Sequence, residues 1–202
     1  MVMRDYVHKK RSIMQQETTT KVFYNHVAQK YKTSVPIKHL VNPECRTIIP
    51  EIDLFEGMRL LDVACGNGRL ISGIAQIISD SELYGVDSSN SKIARNEKKH
   101  PNSNIHFQTA TADNLPFDNN YFDVITCTNA IHCFPQKVRA IDEMHRVLKN
   151  GGYLYILEGI RSKDWKQKFD KTLRQTMFIQ PRKKYLQRSS ILNKSYLIIA
   201  AK

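Results

Sequence analysis

The chain is short of cysteine, of acidic residues and of long apolar runs, and each shortage argues against a class of protein. Only 4 of its 202 residues are cysteine, and Cys45, Cys65, Cys127 and Cys133 form no C-x-x-C pair. That argues against a disulfide framework and a zinc site, and it suits a reducing cytoplasm. No apolar run approaches the roughly 20 residues that span a bilayer. The opening MVMRDYVHKKRS lacks the apolar core of a secretory signal. A soluble, cytoplasmic protein without a transmembrane segment or a metal is the expectation. The length suits one domain with a sizeable core, and at 41% hydrophobic the composition suits a folded one.

Acid is scarce only at the two ends. Residues 1–50 carry 9 Lys/Arg against 3 Asp/Glu, and residues 161–202 carry 12 against 2. Residues 51–160 reverse the balance, 10 against 14, within a formal net charge of +12. Basic ends attract anions: nucleic acid, an acidic membrane surface or an anionic substrate. Solvated helix faces are the plain alternative reading of the same charges.

The N-terminal TTTKVFYNHVAQKY reads as a helix, with Thr18 to Thr20 as N-caps and Phe23, Val27 and Tyr31 on one face. Pro36, Pro43 and Pro50 then break the chain into loops and at most one short helix. From Arg59 the pattern changes. Strands are expected at 59–64, 83–86, 104–109, 121–127 and through YLYIL. Helices are expected at 69–79, through SNSKIARNEKKH and at 135–148, and a turn at Asn150-Gly151-Gly152. A basic helix at 162–176 and a last strand SYLIIAAK follow. Strands alternating with helices imply a parallel sheet covered on both faces, with ligands beyond the carboxyl ends of the strands.

The first of those ends is LLDVACGNGRL, a strand running into a glycine turn and a helix. A P-loop would need Lys-Ser/Thr after Gly68, which is missing. A dinucleotide fingerprint would need a third glycine where Ile71 stands. Asp87 ends the next strand, 19 positions after Gly68, where a carboxylate accepts from ribose hydroxyls. Asp113 follows the third strand, placed for the amino group of a base, and Asp62 lies beneath the turn. Several acids with few cations disfavour a pyrophosphate. They favour a ligand with a ribose, a base, an amino group and net positive character, which describes S-adenosyl-L-methionine.

LLDVACGNGRL, YGVDSSNSKIA, ADNLPFDNNYFDVITCTNAIHCF and RVLKNGGYLYI, in this order, resemble the class I S-adenosylmethionine-dependent methyltransferases. The closest likeness is to the ubiquinone/menaquinone small-molecule group, and FYNHVAQKY is similar to that group's entry helix. The resemblance implies an α/β fold, a Rossmann-like doubly wound and mostly parallel seven-stranded sheet with helices on both faces. Residues 1–50 would form a helical cap, and 51–202 the S-adenosylmethionine-binding domain with a short C-terminal cap. It implies that the turn Ala64, Cys65, Gly66, Asn67 and Gly68 floors the methionine portion, with Asp62 near its amino group. Asp87 would hold the ribose, Ser88 would flank the adenine, and Asp113 would take the adenine amino group with the Asn114 backbone facing the ring. Thr128 and Asn129 would line the methyl donor, and Tyr24 or Tyr31 would close over it. Ala64 stands where the family usually has glycine.

The acceptor is less defined. His132 is the candidate general base. The turn TNAIHCF lacks the (N/D)-P-P-(Y/F) of amino-methylating nucleic-acid enzymes, and Cys133 is not arranged as a base-C5 nucleophile. The expectation is a methyltransferase acting on an O, N or C atom of a small molecule, with an anionic one among the candidates. With 44 residues after the fifth strand, the cap over the acceptor is small. That suits a minimal family member covered by its N-terminal helices, or an open pocket for a large or partner-presented substrate; the basic termini would suit a polyanion. The rival class is a non-catalytic S-adenosylmethionine-binding or scaffold protein on nucleic acid or an acidic membrane surface.

Overall fold

A computed structural model describes residues 43–101, 104–159, 163–176, 178, 182–187 and 194–202. Short apolar runs bounded by turn residues form the sheet, because backbone groups in segments buried on both faces need strand partners. In chain order the strands are β1 (Arg59–Val63), β2 (Glu82–Asp87), β3 (Ile105–Thr109), β4 (Phe122–Thr128), β5 (Leu148–Gly159), β6 (Arg182–Gln187) and β7 (Lys194–Ala201). The helices are α1 (Pro43–Ile48), α2 (Arg69–Ala75), α3 (Asn90–Lys99), α4 (Lys137–Val147) and α5 (Lys163–Leu173). The sheet order is β3-β2-β1-β4-β5-β7-β6. The first five strands pair in parallel, and β7 runs antiparallel between β5 and β6. The chain order reverses between β1 and β4, the switch point where such sheets take ligands.

Period-two alternation builds two cores. Leu60, Val124, Tyr155, Leu157 and Leu197 face one layer, packed with Ile48 of α1 and Leu70, Ile71 and Ile74 of α2. Leu61, Val63, Ile125, Cys127, Leu154, Ile156 and Ile198 face the other, packed with Ile141, Met144 and Val147 of α4 and Phe169 and Leu173 of α5. The architecture is a Rossmann-like α/β sheet, mostly parallel, with helices on both faces.

Two local departures have physical causes. The helix expected to reach residue 79 stops at Ala75, and Glu56 accepts from the amides of Ser79 and Asp80 at 3.3 and 2.7 Å, drawing the chain back toward β2. The turn expected at 150–152 is a bulge instead. Leu148 already pairs with Phe122, and the ladder resumes at Val124–Tyr153. Gly151 supplies a φ of 81° there, and Lys202 closes the bulge, accepting from Gly151 N–H at 3.0 Å and donating to Gly152 O at 3.2 Å. In α4 the inward face includes Ala140, while Val138 is only half-buried. The helix read at Thr18–Tyr31 lies outside the described residues, and of the 1–50 segment only α1 and the 3-10 turn Ile49–Glu51 begin within them.

One close approach sets the depth of the sheet beneath the site. At Gly85 in β2, an added Cβ would lie 2.8 Å from Phe107 Cδ1 and 3.0 Å from Cys65 Sγ. Gly85→Ala is expected to cost about 1–3 kcal/mol, as overpacking of a dense core does. A lower urea midpoint at unchanged m-value is the expected readout.

Candidate functional site

The segment after β1 is held in a conformation that few side chains tolerate. Ala64, Gly66 and Gly68 have φ of 58°, 56° and 69°, all left-handed. Such a turn brings backbone amides to the surface between β1 and α2. Cys65 N–H donates to Val86 O at 2.9 Å, tying the turn to β2. Gly66 N–H donates to Asp87 Oδ2 at 3.0 Å, and Ser89 N–H to Asp87 Oδ1 at 3.0 Å. Lys92 Nζ lies 3.6 Å from the same carboxylate. Behind the turn, Asn96 Nδ2 donates to Gly66 O at 2.9 Å. A Cβ at Gly68 would press on Phe107 at 3.2 Å and Asn96 at 3.3 Å, whereas one at Gly66 would meet no protein atom within 4 Å. Gly68 therefore serves packing, and Gly66 leaves space open above the turn.

A cavity of about 600 Å³ lies above the carboxyl ends of β1, β2, β3 and β4. Of the residues proposed from sequence, Asp62, Ala64, Cys65, Gly66, Asn67, Asp87, Ser88, Asp113, Thr128 and Asn129 line it. Gly68 and Asn114 do not; Asn114 N–H is turned to Thr111 O at 3.2 Å. Tyr24 and Tyr31 lie outside the described residues. Asp62, 1% exposed, accepts from Thr126 Oγ1 at 2.8 Å. Burial pushes its carboxyl up to about 7, with the Asp87 charge adding to the shift and the Thr126 hydrogen bond opposing it. Three carboxylates thus face a cavity whose wall, among the described residues, offers the cations Arg69 and Lys92.

The end of β4 is braced by β5. Asn129, with a φ of 50°, donates its amide to Leu157 O at 2.7 Å and accepts from Gly159 N–H at its Oδ1 at 3.2 Å. His132 Nδ1 lies 3.1 and 3.2 Å from the two oxygens of Glu158, and His132 N–H donates to Glu158 Oε2 at 3.1 Å. Glu158 is 1% exposed. Its pairing with His132 was missed from sequence, though an acid near the end of the apolar run YLYILEG was a visible signal. Ala130, Cys133 and Phe134 contribute to the cavity wall, whereas the imidazole of His132 is set against Glu158. The remaining wall is mainly apolar, with Ile48 of α1, Leu70 of α2, Pro135 just before α4 and Ala140 within it.

The donor set fits S-adenosylmethionine better than a dinucleotide. Carboxylates suit hydroxyl, amino and cationic groups, and a pyrophosphate would need more donors and positive charge than the described residues of this wall supply. The size is that of an ordinary small-ligand site.

Comparison with known proteins agrees. Residues 61–156 match the family described as "Methyltransferase domain". A phthiotriol/phenolphthiotriol dimycocerosates methyltransferase of Mycobacterium leprae is 37% identical over 98 residues, covering 48% of this chain and 36% of that protein. A ubiquinone/menaquinone biosynthesis C-methyltransferase of Vibrio parahaemolyticus is 35% identical over 107 residues, covering 50% and 41%. The chain thus matches less than half the length of these relatives. A methyltransferase structure from Aquifex aeolicus superposes with a TM-score of 0.63 at 18% identity, covering 86% of this chain and 97% of that one, a likeness of fold. The matched segment is a methyltransferase domain of the class that takes S-adenosylmethionine as methyl donor. Within that class the similarity extends to the ubiquinone/menaquinone biosynthesis C-methyltransferases, over about half of this chain. Among the described residues no helix is long and apolar enough to cross a membrane.

Two stability predictions follow from the turn. The carboxyl of Asp62 binds its proton more tightly folded than unfolded, so its contribution to stability is full at low pH. That contribution is lost as pH rises from about 4, the unfolded value, through about 7, the folded value. Asp62→Asn is expected to remove this decline and to stabilise the protein above pH 7 by on the order of 2–4 kcal/mol, read from urea denaturation at several pH values. Ala64→Gly relieves left-handed strain of roughly 1–2 kcal/mol, partly offset by unfolded-state entropy, so thermal stability is expected to hold or rise.

Proposed function

We propose that the protein transfers a methyl group from S-adenosylmethionine to an O, N or C atom of a small acceptor with an apolar body. The observation that carries this reading is the acid-lined cavity above the glycine turn, bordered on its far side by apolar residues from α1, α2 and α4. The cofactor supplies an activated methyl carbon on a sulfonium, so the protein has chiefly to bind, align and exclude water. In this reading Asp62 neutralises the amino-acid portion, Asp87 accepts from the ribose hydroxyls and Asp113 from the amino group of the base. Asp87 already accepts from Gly66 and Ser89, and each of its oxygens retains a lone pair for a hydroxyl. Thr128 and Asn129 line the space between the two portions. Residues 1–50 act as the cap, supported by Cys45 and Ile48 of α1 on the cavity wall.

Ile48, Leu70, Ala130, Phe134, Pro135 and Ala140 favour an acceptor that buries hydrocarbon. The named relatives act on phthiotriol-type dimycocerosates and on quinone precursors, which supports the same direction. Arg69 offers a charge for an anionic acceptor group at the same wall. His132 is not itself on the cavity wall but stands between the lining residues Ala130 and Cys133, and in this reading it takes the acceptor proton where the attacking atom is a hydroxyl. Glu158 holds the ring by Nδ1 and stabilises the imidazolium that results.

Calorimetry with S-adenosylmethionine, S-adenosylhomocysteine and NAD tests the cofactor: the first two are expected to bind and NAD not to. Incubating the protein with methyl-labelled donor and a metabolite extract is expected to label an apolar small molecule. Tight donor binding without label transfer to any fraction would instead support the binding or scaffold class. With the acceptor in hand, His132→Ala is expected to lower kcat by about 10²–10⁴ while S-adenosylhomocysteine binding stays unchanged.

A further inference from the structure

The acid placed for the base sits in a linker that is held from outside itself. Residues 110–121 join β3 to β4 with no helix, and Thr111–Asn114 is their only internal bridge. On one side of Asp113 the linker is pinned where Ala110 N–H donates to Asp87 O at 3.2 Å. On the other it is pinned at Leu115, 3% exposed, whose N–H donates to Glu143 Oε2 at 2.9 Å. Asp113 therefore lies on a four-residue span between two anchors.

Arg146 completes the second anchor. Its Nε and Nη2 donate to the two oxygens of Glu143 at 2.7 and 2.8 Å. The other Nη2 hydrogen goes to Leu115 O at 2.9 Å, and Nη1 donates to Phe117 O at 2.8 Å and Asn119 Oδ1 at 2.9 Å. These five contacts match the five donors of a guanidinium, a geometry that lysine cannot reproduce. Asn120 N–H and Tyr121 N–H then donate to Arg146 O and Val147 O at 3.0 and 2.8 Å. The last turn of α4 thus holds most of the linker, while Ala140 near its other end lines the cavity.

We propose that Arg146, with Glu143, is a specificity-positioning pair: by clamping Leu115 and Phe117 it fixes Asp113 for the amino edge of the adenine. Arg146 does not line the cavity, so it acts through Asp113 and not on the ligand. This rests on the cofactor reading above. Without the clamp the span around Asp113 loosens and the carboxylate no longer distinguishes an amino group from a carbonyl at that edge.

The test measures binding of S-adenosylhomocysteine and of its 6-oxo analogue, S-inosylhomocysteine, to the full chain. Wild type is expected to prefer the adenine compound by about tenfold or more, the worth of one hydrogen bond to a charged acceptor. Arg146→Met is expected to bring the ratio below about threefold, mostly by weakening the adenine compound, and Arg146→Lys to fall between. Arg146→Lys keeps a charge beside Glu143, so it reports even where Arg146→Met fails to fold. General destabilisation would weaken both ligands alike and leave the ratio intact. An unchanged ratio in the folded variants overturns the proposal, as does a wild type with no preference. A wild type that binds neither compound overturns the cofactor reading itself.

Discussion

The buried carboxylate of Asp87 is the interaction on which the rest of the site depends. It accepts from Gly66 in the turn after β1 and from Ser89 before α3, and Lys92 of α3 lies beside it. One anion thereby joins the ends of two neighbouring strands and the start of a helix. The backbone oxygen of the same residue accepts from Ala110, carrying the linkage on to the segment after β3. Strand ends that would otherwise be independent loops become one surface. A loop scaffold tied in this way is what a binding site on a parallel sheet requires.

The same region concentrates local cost. Ala64 and Asn129 are held in left-handed backbone conformations, and the carboxyl of Asp62 is buried, with the Asp87 charge adding to the cost of ionising it. Each would be unfavourable in a segment selected for stability alone. Together they make a cavity floor that a positively charged ligand would relieve, because that ligand compensates the desolvated carboxylates. Backbone strain and a buried acid are thus gathered at the floor of one cavity, as they are at sites shaped for more than stability.

Much of the fold was legible because it rests on local pattern. Apolar runs with turn residues between them marked the strands, and Leu70, Ile71 and Ile74, spaced three and four apart, marked α2. The acids that line the cavity were legible for a related reason: in a parallel sheet, residues just after successive strands converge whatever the loops between them do. Where local pattern misled, a distant partner had intervened. Glu56 shortened the helix at Ala75, and the C-terminal Lys202 turned an apparent Gly-Gly turn into a bulge within β5.

The sequence by itself determined the alternation of strand and helix, the glycine turn after the first strand and the acids that follow the strands. Those features follow from the conformational freedom of glycine and from hydrophobic periodicity, which act over a few residues. Only the tertiary structure decided that His132 rests on Glu158 and that Glu143 and Arg146 clamp the linker bearing Asp113. These partners stand 26 to 31 residues apart. Their meeting depends on sheet register and on how α4 packs, and no local periodicity encodes either.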